Sequence, residues 1–126
     1  MKTGRDVIER ALFLLGYTNA SGGFDNIRDA ALFKRGVAAV IQIYEDLKRI
    51  DRMGDSLAIL NSMNEEIRLS PETVSDVMPY GVAMLIAQNE GDWDSQALFS
   101  SIYSRKRLSV PGKKMKIADV LPRGGQ

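Results

Sequence analysis

The sequence predicts an all-α fold: a bundle of about four helices, at roughly 3–15, 25–50, 71–89 and 93–108, with a long connector at 51–69 and an extended C-terminal arm. Three observations predict it. Apolar residues recur at three- and four-residue spacing in several stretches, the period of a helix that buries one face. Capping residues precede those stretches and glycines follow them, which marks their ends. The segment 77–87 carries no charged residue, so it is expected to be buried. The 126 residues make one domain with a moderate core, with 1–108 read as the bundle and 109–126 as a basic arm.

The first helix rests on Thr3 with Asp6 three residues later, an approximation to a capping box with Asp in place of Glu. Val7, Ile8, Ala11, Leu12 and Leu15 form one stripe, and Gly16 suits the left-handed position just past the end. The following stretch, to residue 24, is dense in Gly, Ser and Asn and reads as a loop, with Tyr17 and Phe24 pinning its ends. Asp25 opens the longest helix. Ile27, Ala30, Ala31, Val37, Ala38, Ile41, Tyr44 and Leu47 are expected on its buried face, with Arg28, Asp29, Lys34, Arg35, Gln42, Glu45, Asp46 and Arg49 opposite. Glu45 and Arg49 have the spacing of a stabilising i,i+4 pair. Gly36 either admits the close approach of another helix or is an ordinary tolerated glycine.

Residues 51–69 are read as an extended connector with a short strand or turn, since Leu57 and Ile59 alternate while Leu60, Met63 and Ile67 have helical spacing. Ser70 before Pro71 places an N-cap hydroxyl ahead of a proline whose missing N–H costs nothing at the first helical position. Pro79 predicts a short helical piece at 71–77 followed by a kink or restart. Gly91 allows the chain to reverse, and Asp92 or Asp94 then caps a last helix carrying Leu98, Phe99, Ile102 and Tyr103. Pro111 and Gly112 end the helical region, and the stretch 114–121 is read as extended, with Met115 and Ile117 on one side.

Composition narrows the chemistry. There is no cysteine and no histidine, which removes disulfides, thiolate metal sites, and Ser–His or Cys–His catalysis. The opening residues lack a signal-peptide core, and 77–87 falls short of the roughly 20 apolar residues of a membrane span, so a cytosolic-type chain with no membrane contact is expected. The carboxylates of the 90–94 turn alternate as in some calcium loops, but the glycine and closing glutamate of such a loop are missing, and helix capping accounts for them better. Pro111-Gly112-Lys113-Lys114 lacks the upstream glycine and the Ser/Thr of a phosphate loop. Glu45/Asp46 and Glu65/Glu66 read as solvated faces rather than acid–base pairs. The expectation is a protein with no catalytic site, no metal and no cofactor.

Charge is unevenly distributed. From Arg105 onward, Arg105, Lys106, Arg107, Lys113, Lys114, Lys116 and Arg123 face the single acid Asp119, a net +6, whereas residues 1–104 carry ten bases and fifteen acids, a net −5. A basic tail on an acidic body is suited to a negative partner. The cations at 105–107 also suit the negative end of a helix dipole, which does not account for 113–116. Without interleaved aromatics this cluster reads phosphates rather than bases, and a protein surface is the favoured contact.

The opening Leu69-Ser70-Pro71, the run Val77-Met78-Pro79-Tyr80-Gly81-Val82-Ala83, the uncharged continuation to Gln88, Glu90-Gly91-Asp92, and then Phe99 and Tyr103-Ser104-Arg105-Lys106 together resemble the head–tail connector (adaptor, or head-completion) proteins of tailed bacteriophages. The match covers about a third of the chain, and order and spacing carry it. The resemblance implies a structural virion protein at the head–tail junction, assembled in the host cytoplasm. It would form a homo-oligomeric ring, a dodecamer when seated on a portal, that extends the DNA channel and receives the next tail-completion protein. It implies that Pro79, Tyr80, Gly81, Ala83, Leu85, Ala87, Gly91, Asp92, Phe99 and Tyr103 define the fold. Arg105, Lys106, Arg107, Lys113, Lys114, Lys116, Ile117 and Leu121 would meet the portal, a neighbouring subunit or packaged duplex DNA. The alternative from charge alone is a small helical nucleic-acid-binding protein using its basic C-terminal region.

Overall fold

In a computed structural model, which describes residues 2–17 and 27–112 (27 and 28 by backbone alone), Thr3 begins the first helix as its sequence predicts. The Thr3 hydroxyl accepts from the Asp6 N–H at 3.3 Å, and the Asp6 carboxylate accepts from the Thr3 N–H at 2.9 Å. Two otherwise orphaned donors are satisfied reciprocally. Helix α1 spans Gly4–Leu15 and buries Val7, Ile8, Ala11 and Leu12, with Gly16 closing it at φ 75°. Only glycine adopts that backbone without a Cβ penalty.

Helix α2 spans Ile27–Leu47. It stops three residues short of the expected end, and 48–50 form a turn in which the N–H groups of Ile50 and Asp51 both bond the Leu47 carbonyl. That turn drives Lys48 and Asp51 inward. Asp25, its expected first residue, lies outside the described residues. The expected buried face is corrected in part, Tyr44 and Leu47 being buried as expected. Leu32, Gly36, Ala39, Val40, Ile43, Tyr44 and Leu47 face the core, whereas Ala30, Ala31, Ala38 and Ile41 are exposed and Val37 is half-buried. Helix α2 carries two apolar stripes, and the fold covers one. Gly36 admits a close neighbour: a Cβ there would lie 2.7 Å from Ile8 Cγ2, so α1 packs directly on α2's backbone.

Residues 51–69 contain no strand among the described residues, only turns and two isolated bridges, Thr3 to Glu66 and Asp51 to Gly112. Pro71–Asp76 forms α3 and Met78–Glu90 forms α4, so the chain restarts at Val77 with Pro79 in the new helix's first turn. A proline there removes no helical hydrogen bond. Helix α4 packs on α1, α2, α3 and α5 and buries Met78, Pro79, Gly81, Val82, Ala83, Ile86 and Ala87. Burying each large aliphatic side chain among these contributes about 1.5–3 kcal/mol, which explains the absence of charge in 77–87. Gly91 ends α4 at φ 71°. Asp92, rather than Asp94, then caps α5 (Trp93–Arg107) by accepting from the Ser95 N–H at 3.3 Å. Phe99 and Tyr103 turn inward, and Leu98 is exposed.

The α4–α5 hairpin closes on Gly81. A Cβ at that position would lie 2.8 Å from both Ile43 Cδ1 and Tyr103 Cε1, so the glycine lets α2 and α5 converge on α4. Tyr80 and Phe99 add a tilted ring pair with centroids 6.1 Å apart. The architecture is all-α, as the sequence predicts.

Candidate interaction surfaces

The basic end of α5 is built by a long-range pair. Arg107 Nε donates to Asp46 Oδ2 at 2.8 Å and its Nη2 donates to Oδ1 at 2.7 Å, a bidentate clamp between α5 and α2. The Tyr103 hydroxyl donates to Asp46 Oδ2 at 2.7 Å. The Arg107 hydrogen bonds hold the Asp46 carboxyl below its ordinary value, against the opposing effect of burial. Burial and the Asp46 carboxylate raise Tyr103 well above a free phenol. Lys106 Nζ bonds Asp76 Oδ1 at 3.0 Å and sits 4.9 Å above the Tyr80 ring. Of the three expected contact cations in this helix, Lys106 and Arg107 therefore have partners within the chain, and Arg105 is exposed.

Beyond α5, Ser109 Oγ bonds the Lys106 carbonyl at 2.8 Å, Val110 packs against the core, and the Arg52 N–H donates to the Pro111 carbonyl at 2.7 Å. The chain thus leaves α5 clipped to the start of the connector. Lys113, Lys114, Lys116, Ile117 and Leu121 lie outside the described residues, as does Phe24.

At that same corner Asp51 is fully buried. Its carboxylate accepts from the Ser70 N–H (3.1 Å), the Ser70 hydroxyl (3.0 Å), the Thr73 hydroxyl (2.5 Å) and the Met53 N–H (2.8 Å). Four neutral donors supply the stabilisation that water would otherwise give the carboxylate. This network corrects the expected role of Ser70: it holds the N-cap position of α3, but its hydroxyl is drawn to Asp51. The hydroxyl donates its proton to Asp51 and accepts no N–H from the first turn of the helix.

The connector is anchored by hydrogen bonds despite its irregular path. Lys48, 4% exposed, donates from Nζ to Glu45 Oε2 at 2.8 Å and to the Ala58 carbonyl at 2.7 Å. Glu45 is thus engaged by Lys48, where the sequence suggested Arg49. Asp55 accepts from the Leu57 N–H at 2.9 Å, and Glu65 accepts from the N–H groups of Asn61 and Ser62 at 2.6 and 2.8 Å. A Cβ on Gly54 would lie 2.1 Å from the Lys48 carbonyl oxygen, so the loop base lies tight against the end of α2. Yet Leu57 is 87% and Ile59 70% exposed. The alternation that suggested a strand marks two apolar side chains held in solvent by an anchored loop.

Two further tethers fix the opposite end. The Tyr17 hydroxyl donates to Asp92 Oδ2 at 2.7 Å, joining the end of α1 to the α4–α5 turn, and Arg35 pairs with Glu90. The Tyr17 bond, with those from Ser95, lowers the Asp92 carboxyl. Tyr17, expected to pin one end of the glycine-rich stretch, is tied to Asp92, and residues 18–26 of that stretch lie outside the described residues. Among the described residues no group of three or more Asp or Glu is placed to hold a metal, no helix is long and apolar enough to cross a membrane, and no buried side-chain nitrogen or oxygen lacks a hydrogen-bond partner.

Sequence reasoning missed the Asp51 network, the Asp46 clamp and the burial of Lys48. Asp51 is separated from Ser70 and Thr73 by 19 and 22 positions, and Asp46 from Arg107 by 61. No local spacing rule spans such gaps. Comparison with protein-family models, curated proteins and solved structures finds no match to the chain.

Proposed function

We propose that the chain is a structural subunit of the head–tail junction of a tailed bacteriophage, forming a homo-oligomeric ring beneath the portal. The ring extends the DNA channel and offers a surface to the next tail-completion protein. The observation that carries this reading is the apolar surface left over on a firmly held framework. Ala30, Ala31, Ala38 and Ile41 on α2, and Leu57 and Ile59 on the anchored loop, stay open to solvent. Exposed apolar surface of this kind marks an interaction site. Supporting it, the 69–106 segment on which the resemblance rests folds as one unit: a helical restart at Pro79, a close approach at Gly81, and a left-handed glycine followed by the Asp92 cap.

The role calls for no catalytic residue and no cofactor. Arg105 and the arm residues Lys113, Lys114, Lys116, Ile117 and Leu121 are assigned to portal or neighbour contact. Lys106 and Arg107 have internal acidic partners, so the alternative of nucleic-acid binding rests on the remaining cations.

Mass photometry of the full chain, alone and mixed with its cognate portal, tests the reading. Self-association at high concentration, or assembly onto the portal, is expected. A chain that stays monomeric and leaves the portal unoccupied overturns it.

A further inference from the structure

We propose that the outer stripe of α2 in one copy receives the Leu57 and Ile59 loop of a second copy. This inference rests on the ring reading and assigns its subunit contact. The stripe runs along one side of α2 through Ala30, Lys34, Val37 and Ile41 at alternating four- and three-residue steps, with Ala31 and Ala38 beside it. Ala30, Ala31, Phe33, the Lys34 stem and Val37 line an open apolar hollow. An amphipathic helix needs one such face, and α2 already spends its other face on α1 and α4.

The loop presents Leu57 and Ile59 to solvent. Its backbone is fixed before any partner arrives, by the Lys48 bond to the Ala58 carbonyl and the Asp55 bond to the Leu57 N–H. Pre-organised apolar side chains lose little freedom on docking. One chain cannot join its own loop to its own stripe: the loop follows the C-terminal end of α2, and Lys34 lies thirteen residues before Leu47, about 20 Å along the axis.

Charge selects the loop over a second α2 as the occupant. Lys34 lies within the stripe, so two stripes packed antiparallel about their centres would bring two lysines together. Asp55 stands two residues before Leu57, so the loop brings an opposite charge to Lys34. The contact joins different surfaces on the two copies, the head-to-tail kind that closes into rings.

The chain contains no cysteine, so single cysteines report without background. Leu57→Cys and Ala30→Cys variants, each substituted at an exposed position, are oxidised separately and as an equimolar mixture, with and without portal. A disulfide requires Cα atoms within about 7 Å. A mixed disulfide at least about tenfold more abundant than either self-disulfide is expected. Leu57→Cys self-disulfides at equal yield, or no mixed product, overturn the assignment. Mass photometry of the unsubstituted chain separates the two levels. Rings without the mixed disulfide refute this contact and leave the ring reading standing, whereas a monomer that ignores the portal refutes both.

Discussion

Arg107 and Asp46 lie 61 positions apart in the sequence and meet through two parallel hydrogen bonds of 2.8 and 2.7 Å. This clamp ties the last turn of α5 to the last turn of α2, and the Tyr103 hydroxyl completes it. Each partner's side chain is more than a third exposed, at 38% and 37%, so solvent screens the pair.

Asp46→Asn is expected to lower stability at neutral pH by about 1 kcal/mol, with screening included. Because the folded carboxyl is lowered from 3.8, its contribution is full above that value and is lost as the pH falls through the lowered one. Urea denaturation of the two proteins should therefore give curves that converge on acidification below 3.8. A gap that persists unchanged at pH values where Asp46 is protonated would contradict the assignment.

Asp51→Ala is expected to cost about 3 kcal/mol, because the Ser70 and Thr73 hydroxyls and two backbone N–H groups lose a buried acceptor together. In a double-mutant cycle with Thr73→Val, the two substitutions should cost less together than the sum of each alone. Additive losses would mean the two side chains act independently.

Gly81→Ala places a methyl 2.8 Å from Ile43 and from a Tyr103 ring that Asp46 holds in place. A destabilisation of about 1–3 kcal/mol is expected, read as a lowered melting temperature. Tyr103→Phe frees the ring from its tether and should reduce that loss. If Gly81→Ala is neutral, α4 does not meet its neighbours as closely as described.

Lys48→Met keeps the apolar stem and removes the bonds to Glu45 and the Ala58 carbonyl. Amide exchange at Leu57 and Ala58 should accelerate by about tenfold while α1 stays protected. Uniform loss of protection would instead show that Lys48 supports the whole fold.

The legible parts of the fold are those written in local chemistry. Thr3 with Asp6, Gly16, Pro79, Gly91 and Asp92 each act within a few residues of themselves, and each stands where its sequence places it. The end of α2 falls three residues earlier than expected, at a turn that carries Asp51 inward to Ser70 and Thr73, partners that no local spacing reveals. Its buried face is legible only in part, for a different reason. Ala30, Val37 and Ile41 have as good a helical period as Leu32, Ala39, Val40 and Ile43, and periodicity does not say which stripe meets α1 and α4. Of the residues expected on that face, Tyr44 and Leu47 are buried, Val37 is half-buried, and Ala30, Ala31, Ala38 and Ile41 face solvent. The contact surfaces assigned to residues 113–121 lie beyond the described chain.

Negative-stain imaging of the full chain mixed with its cognate portal tests the central claim most directly. The ring reading predicts an added layer of density beneath the portal, with one copy of the chain for each portal subunit. Portal particles identical with and without the chain would contradict it.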